Sequence, residues 1–251
     1  MRRGRLSASA FLFEIAKMEK ENVNILCLDT ATEVCTVALA RNGELLAMRE
    51  NADGQSHAKT LLPYIDEVLK EARIQPSGLS AVAVGMGPGS YTGLRIGAST
   101  AKGLCYSLGI PLMAVSTLQI IAAGAAQQSG GFSGVFCPLL DARRMEVFTA
   151  VYNAGLQEVE SVSAQIVGEE TFARLLAENE VIFCGNGMEK CRSLLSASPH
   201  AHFCSETLSA QNMIPLAYQQ FEKQQFVDVA YFEPLYGKEY VAAKPHVKGL
   251  R

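Results

Sequence analysis

The stretch Val82-Ala83-Val84-Gly85-Met86-Gly87-Pro88-Gly89-Ser90-Tyr91-Thr92-Gly93-Leu94-Arg95-Ile96-Gly97 decides how this chain folds. It begins as an apolar, β-branched run, passes through three glycines spaced two apart, and continues with a helical pattern. Glycine permits positive φ and a close approach of the backbone. Because the first amides of a helix lack partners within it, such a junction either binds an anion such as phosphate or forms a tight turn without a ligand. The loop alone leaves both interpretations open.

Two familiar nucleotide-binding loops are excluded by the residues around these glycines. No Gly-Lys-Ser/Thr follows them, so the loop is not a Walker A loop. The run Gly85-x-Gly87-x-Gly89 places Ser90 where the dinucleotide fingerprint has its third glycine, and no acidic residue follows about 20 positions later at the end of a second strand. A nucleotide that binds here is therefore held in some other way.

The composition is that of a globular protein without strong charge. The chain has 251 residues, of which 49% are hydrophobic and 19% charged, and a formal net charge of −3. This length allows one large or two modest domains. The lack of excess positive charge disfavours tight nucleic-acid binding by the chain alone, and leaves a partner to supply the positive surface. Seven scattered cysteines without a C-x-x-C pair indicate a reducing, cytoplasmic setting without disulfides or zinc.

The first 22 residues form an extension that the rest of the pattern does not require. Arg2, Arg3 and Arg5 precede the apolar piece Ala10-Phe11-Leu12-Phe13, after which charges return. This piece is too short for the apolar region of a signal peptide, and no later stretch reaches the roughly 20 apolar residues of a membrane span. We expect residues 1–22 to be a poorly ordered extension, with a transit peptide or an upstream start as the alternatives.

Alternating strand and helix patterns flank the glycine loop. Before it, the sequence predicts a buried strand that ends at Asp29, a hairpin at Asn42-Gly43 and a helix that Ser56 opens. After it, the sequence predicts a helix over residues 92–108, a short strand and a further helix. This alternation is typical of an α/β fold.

The helix over residues 92–108 carries small residues at four-residue spacing, namely Gly93, Gly97, Ala101 and Cys105. Each glycine inside a helix costs about 1 kcal/mol relative to alanine, so we expect a packing reason for them. A stripe of small side chains lets another helix approach more closely than the usual interaxial distance of about 8–10 Å. That second helix belongs either to a partner or to the same domain, and the sequence leaves both open.

The second half of the chain repeats the first. A predicted strand ends at Asp141, and the separation of 14 residues from Asp141 to Gly155 equals that from Asp29 to Gly43. A later strand runs into Gly185-Asn186-Gly187, as the earlier strand runs into the glycine loop. Two matches in the same order indicate an internal duplication.

A polar linker and a basic tail mark the remaining boundaries. The linker at residues 127–131 divides the chain into a lobe of residues 23–128 and a lobe of residues 129–251. The tail turns basic after Tyr236, at Lys238, Lys244, Lys248 and Arg251. Such a tail is usually solvated, and contact with RNA or a partner is the alternative.

Asp29 is the candidate for chemistry at the end of the first strand. It stands beside Thr30 and Thr32, and in a duplicated fold with a cleft between lobes this position holds a metal-bound nucleotide or orients a water. The other interpretation is that its carboxylate caps the hairpin through backbone amides. Asp141, which two arginines follow, is expected to be ion-paired or capping. The candidate nucleotide contacts are Asp29, Thr30, Gly87, Gly89 and Ser90.

The histidine positions argue against a metalloenzyme, and no metal ligand is assigned. His57 lies near the start of a helix, and the sequence has no His-x-x-x-His or His-Glu-x-x-His pair. His200-x-His202 stands in a polar stretch and is expected to be exposed. Ser90 lacks a Gly-x-Ser-x-Gly context and a histidine placed to serve it, which disfavours a serine hydrolase.

Three stretches of the chain strongly resemble the TsaB (YeaZ) family. They are Asn24-Ile25-Leu26-Cys27-Leu28-Asp29-Thr30-Ala31-Thr32, Ser56-His57-x-x-x-Leu61-Leu62-Pro63-x-Ile65, and the run from Gly87 to Gly97. Glu233-Pro234-Leu235-Tyr236 fits the same family, so the resemblance covers nearly the whole chain from about Asn24 to Tyr240. It implies an α/β, two-lobed, duplicated fold of the actin/Hsp70/sugar-kinase (ribonuclease H-like) class.

The resemblance also implies a role in forming N6-threonylcarbamoyladenosine at position 37 of tRNAs that read codons starting with A. In that pathway the catalytic subunit TsaD pairs with TsaB and is helped by the ATPase TsaE. The implied partners are a TsaD-like subunit, a TsaE-like ATPase, tRNA through the complex only, and a second copy of the chain when it is alone. TsaD holds its metal with a His-x-x-x-His pair that this chain lacks, which favours the non-catalytic paralogue. No cofactor is implied for the chain by itself, and ATP with Mg²⁺ is a candidate only in the complex.

In TsaB-like proteins the first two helices pack on TsaD or on a second TsaB copy, and here these helices are the segments around residues 56–72 and 92–108. The interface that the resemblance implies contains His57, Leu61, Tyr91, Thr92, Gly93, Arg95, Ile96, Gly97 and Ala101. Two alternatives to this accessory role are a stand-alone ATP-dependent phosphotransferase that uses Asp29 and the glycine loop, and a peptidase that depends on Ser90.

Overall fold

The first sheet of the protein contains five strands: β1 (Asn24–Asp29), β2 (Cys35–Arg41), β3 (Glu44–Asn51), β4 (Ala81–Gly85) and β5 (Leu112–Val115). Their order is β3-β2-β1-β4-β5, with β2 antiparallel to β1, and with β4 and β5 parallel to it. Every residue of β1 and β4 is buried, as expected for central strands that are covered on both faces. The Asn42-Gly43 turn between β2 and β3 has φ values of 51° and 83°, which confirms the predicted hairpin.

The computed structural model describes residues 22–51 and 56–237. The predicted extension of residues 1–22 lies outside the described residues except for its last one, and the basic tail from Lys238 onward lies outside them as well.

Two helices, α1 (His57–Glu71) and α2 (Tyr91–Leu108), cover the outer face of the first sheet. α1 packs on β2 and β3, and α2 packs mainly on β4. In the sequence, Pro63 predicts a kink in this helix or a later start, but the structure places it inside α1. α1 nevertheless begins at His57, and the proline ring lies on its exposed side. α2 ends at Gly109, whose φ of 69° is the left-handed conformation of many helix C-termini.

The second sheet contains β6 (Val135–Asp141), β7 (Glu146–Tyr152), β8 (Glu158–Ile166), β9 (Val181–Cys184) and β10 (Ala201–Phe203). Its order is β10-β9-β6-β7-β8, so that antiparallel β7 and β8 lie on one side of β6, and parallel β9 and β10 on the other. The helices α4 (Ala173–Glu178) and α5 (Met188–Leu195) follow β8 and β9, as α1 and α2 follow β3 and β4. The predicted internal duplication is confirmed.

One helix after each sheet packs on the other sheet. α3 (Thr117–Gln128) follows the first sheet and packs on β6, β7 and β9 of the second, whereas α6 (Ile214–Glu222) follows the second and packs on β1 and β5. The main hydrophobic core therefore contains residues of both sheets and of both helices, such as Ile25, Ile121, Phe136 and Ala217. The predicted lobes 23–128 and 129–251 separate the two sheets, but each lobe contributes a helix to the other.

Two features of the second lobe differ from the sequence prediction. The apolar spacing of Met213, Ile214, Ala217 and Phe221 predicts one helix from about Ser209 to Lys223, but the structure divides it into a 3₁₀ turn, Ala210–Met213, and α6. Pro215 lies in the first turn of α6, and because it has no amide proton it cannot donate a hydrogen bond to a preceding turn. β10 was not predicted: it has only three residues, too few to show a strand period, and it carries His202 in what reads as a polar stretch.

Candidate functional site: the groove between the first two helices

The glycine loop between β4 and α2 is closed by the chain's own backbone. The amide of Ser90 donates a hydrogen bond of 2.7 Å to Ala31 O, and the amide of Gly87 donates one of 3.2 Å to Thr117 Oγ1. A Cβ on Gly89 would overlap Ala31 O, so this glycine is required for close packing. Two amides that a phosphate would need are occupied. The contact of Gly87, Gly89 and Ser90 with a nucleotide stays a prediction, which these two internal bonds disfavour.

Asp29 is fully buried and has its own partners. Its Oδ1 accepts a hydrogen bond of 2.7 Å from the amide of Ala31, and its Oδ2 accepts one of 2.9 Å from the hydroxyl of Thr117. Burial raises the pKa of this carboxyl from 3.8 to about 6, against the lowering effect of those hydrogen bonds. Thr30 is buried as well and donates a 2.7 Å hydrogen bond to Gly93 O. Both side chains are buried, and the bond from Ala31 is the one that the capping interpretation of Asp29 requires; the contact of Asp29 and Thr30 with a nucleotide stays a prediction.

The raised pKa of Asp29 predicts a pH-dependent effect of the Asp29→Asn substitution. Because the folded-state pKa lies above the unfolded value, the contribution of Asp29 to stability is complete below about pH 4 and is lost as the pH rises through about 6. We therefore expect the free energy of unfolding of Asp29→Asn, relative to the parent chain, to rise by up to about 3 kcal/mol between pH 4 and pH 7. Urea unfolding at each pH measures this difference in the free energy of unfolding. A difference that stays constant from pH 4 to pH 7 would contradict the raised pKa of Asp29.

Asp141 is the counterpart of Asp29 in the second sheet and provides a control for this prediction, because its substitution should change stability with pH in the opposite direction. Its partial burial alone would raise the pKa, but the hydrogen bond from Lys190 and the charges of Lys190 and Arg143 lower it below the usual value. Its contribution to stability is therefore present at neutral pH and is lost as the pH falls. We expect Asp141→Asn to lose stability relative to the parent chain as the pH rises. The ion pair with Lys190 also agrees with the predicted role of Asp141.

The small-residue stripe of α2 faces the protein's own first sheet. A Cβ on Gly93 would overlap the backbone carbonyl of Thr30, a Cβ on Gly97 would overlap the hydroxyl of Thr30, and Ala101 is 0% exposed. The stripe thus lets α2 lie directly on the end of β1. Of the two interpretations of the stripe, packing within the same domain is correct. Gly93, Gly97 and Ala101 are buried against the first sheet, which disfavours their predicted contact with a partner.

The other six predicted interface residues line one groove between the exposed faces of α1 and α2. The groove has a volume of about 540 Å³. Leu61 is buried at its floor, whereas Leu62 is 59% exposed and Tyr91 is 38% exposed beside it. The lining residues are His57, Ala58, Leu61, Leu62, Tyr91, Thr92, Arg95, Ile96, Ser99 and Thr100. Leu62 was quoted in the motif but was not predicted as an interface residue.

On the α2 side, the rim of the groove is formed by Arg95 and two tyrosines that contact it and each other. The guanidinium of Arg95 lies 4.6 Å from the ring centre of Tyr91, a distance typical of a cation–π contact. Its Nε lies 3.4 Å from the hydroxyl of Tyr236, and the rings of Tyr91 and Tyr236 are 4.8 Å apart. The end of the described chain is therefore part of the groove's rim, although it lies more than one hundred residues from α2 in sequence.

His57 lies at the end of the groove and is held by the backbone. Its Nε2 lies 2.8 Å from the carbonyl oxygen of Thr32, which only accepts, so Nε2 carries the proton and donates. Its Nδ1 is buried and has no hydrogen-bond partner within residues 22–51 and 56–237. The hydroxyl of Ser90 accepts a hydrogen bond of 3.3 Å from the amide of Gly93 and caps α2. His57 and Ser90 thus have separate structural roles, and they do not form a nucleophile–base pair.

No cluster of three or more His, Cys, Asp or Glu side chains in the described part of the chain is arranged to hold a metal ion. None of the helices that the structure describes combines the length and apolar character needed to cross a bilayer.

Comparisons with known proteins identify relatives over most of the chain. A family model described as "TsaD: tRNA N6-adenosine threonylcarbamoyltransferase" matches residues 48–231. The tRNA threonylcarbamoyladenosine biosynthesis protein TsaB of Escherichia coli (strain K12) is 33% identical over 228 residues, which are 88% of this chain and 97% of that protein.

Solved structures agree with this match. The structure titled YeaZ from Pseudomonas aeruginosa has a TM-score of 0.74 at 29% identity, and the match covers 85% of this chain and 99% of that one. Component A of the (R)-2-hydroxyglutaryl-CoA dehydratase of Acidaminococcus fermentans has a TM-score of 0.50 at 11% identity, and the match covers 81% of this chain and 99% of that one. At this identity the similarity shows a shared fold and nothing more. The predicted α/β fold with two sheets is confirmed.

Proposed function

Because the chain belongs to the TsaB (YeaZ) family, we propose that it is a non-catalytic subunit in the formation of N6-threonylcarbamoyladenosine at position 37 of tRNAs that read codons starting with A. It binds and activates a TsaD-like catalytic subunit, and it meets tRNA and a TsaE-like ATPase only in that complex. The observation that carries this proposal is the apolar groove between α1 and α2, with Leu62 and Tyr91 exposed above the buried Leu61.

The groove has the properties of a surface that receives helices. Exposed apolar side chains on two adjacent helices gain free energy when a partner removes them from water, at about 25 cal/mol for each Å² of apolar surface. The lining residues on α1 and α2 recur at helical spacing, which suits packing against the helices of a partner. A second copy of this chain would occupy the same groove, so the homodimer and the heterodimer exclude each other.

The residues that the two alternatives require argue against independent catalysis. A phosphotransferase needs an Asp29 that reaches Mg²⁺ and a glycine loop that reaches phosphate, but the carboxylate is buried and the loop amides of Gly87 and Ser90 are occupied. A peptidase that uses Ser90 needs a base, and His57 at the end of the groove donates to Thr32 O instead. Calorimetry of the chain with ATP and Mg²⁺ is expected to show no binding, and tight binding would revive the first alternative.

Reconstitution tests the proposed function. The assay contains tRNA, the enzyme that makes threonylcarbamoyl-adenylate, and the TsaD-like and TsaE-like proteins of the same organism, with or without this chain. We expect modified adenosine only when both the chain and the TsaD-like subunit are present. Modification by the chain without the TsaD-like subunit would show that it is itself a catalyst. Full modification without the chain would show that it has no part in the reaction.

A further inference from the structure

A second cavity adjoins the α1–α2 groove at Arg95. It has a volume of about 420 Å³ and is lined by α2 and by residues 228–236, which we call the C-terminal strap. Arg95 and Ser99 line the groove as well, so the two hollows form one continuous surface along α2. A partner that fills the groove therefore contacts Arg95.

The C-terminal strap is fixed along α2 by buried and backbone contacts. Lys102 Nζ donates to the carbonyl oxygens of Ala230 and Phe232 at 3.0 and 3.1 Å, and the side chain of Phe232 is buried in the core below. The amide of Leu235 donates a hydrogen bond of 2.7 Å to a carbonyl oxygen of the glycine loop. Tyr236 follows directly, so its ring has a fixed place beside α2.

Arg95 carries a charge that is oriented but not neutralised. Its guanidinium lies over the ring of Tyr91, and its Nε donates to the hydroxyl of Tyr236 over 3.4 Å. Within residues 22–51 and 56–237, no carboxylate forms an ion pair with it. Glu233 lines the second cavity but is exposed and forms no such pair. The two tyrosines thus hold the arginine in place and leave its charge for a partner.

Burial of this charge in an interface requires an opposite charge. An ion that is removed from water costs free energy that only a counter-ion with good hydrogen bonds offsets. The groove does not supply one, because its lining residues include no aspartate or glutamate. A symmetric dimer uses the same patch on both copies, so a second copy docked groove to groove would bring Arg95 against a surface without acids. The groove therefore favours a partner that carries a carboxylate.

We propose that Arg95 binds a carboxylate of the TsaD-like subunit, and that this pair selects that subunit over a second copy of the chain. The inference rests on the proposed function, which makes the groove the contact surface. A guanidinium matches a carboxylate with two parallel hydrogen bonds. Tyr91 and Tyr236 orient the guanidinium before binding, which lowers the entropy that is lost on association. Discrimination then comes from the unpaired charge that the wrong partner leaves.

Arg95→Met tests the pair, because it keeps an unbranched side chain and removes the charge. Titration calorimetry of the purified subunits at several salt concentrations should show an affinity for the TsaD-like subunit at least about 30-fold lower, since the carboxylate of that subunit is left unpaired. The affinity should also depend less on salt than that of the parent chain. In sedimentation equilibrium without the TsaD-like subunit, the variant should self-associate at least as strongly as the parent chain.

Arg174→Met is the matched control. Arg174 is an exposed arginine of α4 in the second lobe, where it pairs with Glu178. The control removes the same charge from a surface outside the groove and the second cavity, and it should change the affinity for the TsaD-like subunit less than about 2-fold.

Tyr236→Phe separates positioning of Arg95 from general stability. It removes the hydroxyl that Nε contacts and keeps the ring beside Tyr91. We expect an affinity about 3- to 10-fold lower in the parent background and no change in the Arg95→Met background. A loss of fold stability would lower the affinity in both backgrounds.

An affinity and a salt dependence of Arg95→Met that match those of the parent chain would overturn the inference. So would an equal loss of affinity in the homodimer and the heterodimer, which would mean that Arg95 pairs with an acid of its own chain, such as Glu233. If the parent chain forms no heterodimer at all, the proposed function itself fails, and this is seen before any variant is compared.

Discussion

Replacing Leu62 by aspartate is expected to weaken binding to the TsaD-like subunit at least 100-fold while the chain stays folded. Leu62 is 59% exposed in the groove, so an aspartate there is hydrated in the free protein and costs little stability. In the complex the variant loses the burial of a leucine, about 1.5–3 kcal/mol, and in addition removes an unpaired carboxylate from water. The sum exceeds the roughly 2.7 kcal/mol that corresponds to a 100-fold change in the dissociation constant. Titration calorimetry of the two purified subunits measures this dissociation constant.

Ile166→Asp is the matched control for this prediction. Ile166 is 77% exposed at the end of β8 in the second lobe, and it does not line the groove. The control introduces the same charge at another exposed apolar position, and its affinity for the TsaD-like subunit should stay within 3-fold of that of the parent chain. If Leu62→Asp and Ile166→Asp bind equally well, the groove is not the contact surface. If only the control loses affinity, the partner docks on the second lobe.

Gly93→Ala is expected to destabilise the protein by about 3 kcal/mol or more, although alanine is the better helix former. The new Cβ would overlap the carbonyl oxygen of Thr30, and backbone at the end of β1 cannot move aside as a flexible side chain does. α2 must shift away from the sheet, and the groove that it lines must change with it. Thermal unfolding should show a midpoint lower by about 6–12 °C for a domain of this size.

Gly103→Ala in the same helix is the control, and it should change the stability in the opposite direction. No atom lies within 4 Å of the position that its Cβ would take, and Gly103 is exposed within α2. We expect this variant to be more stable than the parent chain by about 0.5–1 kcal/mol, because only helix propensity and unfolded-chain entropy change. Equal effects of the two substitutions would mean that α2 does not pack on Thr30 as the structure has it.

The sequence predicted the architecture well because the repeated pattern carries long-range information. A strand that ends in an aspartate, a hairpin and a later strand that ends in Gly-x-Gly occur twice, and the two sheets follow the same order around β1 and β6. The positions of α3 and α6 were not predictable in this way. Each helix lies against the sheet of the other lobe, and an apolar face on a helix does not say which sheet covers it.

The site was predicted only in part, because spacing shows which residues share a helix face but not what lies opposite that face. The stripe at Gly93 and Gly97 was assigned to a partner, yet Thr30 of the same chain occupies that space. For Asp29 the sequence left a ligand and a hairpin cap open, and only the structure shows that Thr117, which lies 88 positions further on, donates to its second oxygen. Leu62 did carry a signal: it is an apolar residue at the margin of the buried face of α1, next to Leu61.

The dependence of tRNA modification on the concentration of this chain tests most directly whether it acts as an accessory subunit through the α1–α2 groove. The rate of threonylcarbamoyladenosine formation is measured at a fixed concentration of the TsaD-like subunit while the parent chain, Leu62→Asp or Ile166→Asp is titrated in. We predict that the parent chain and Ile166→Asp saturate the rate near one equivalent, and that Leu62→Asp needs at least 100-fold more protein to reach the same plateau. A Leu62→Asp curve that coincides with that of the parent chain would contradict the account.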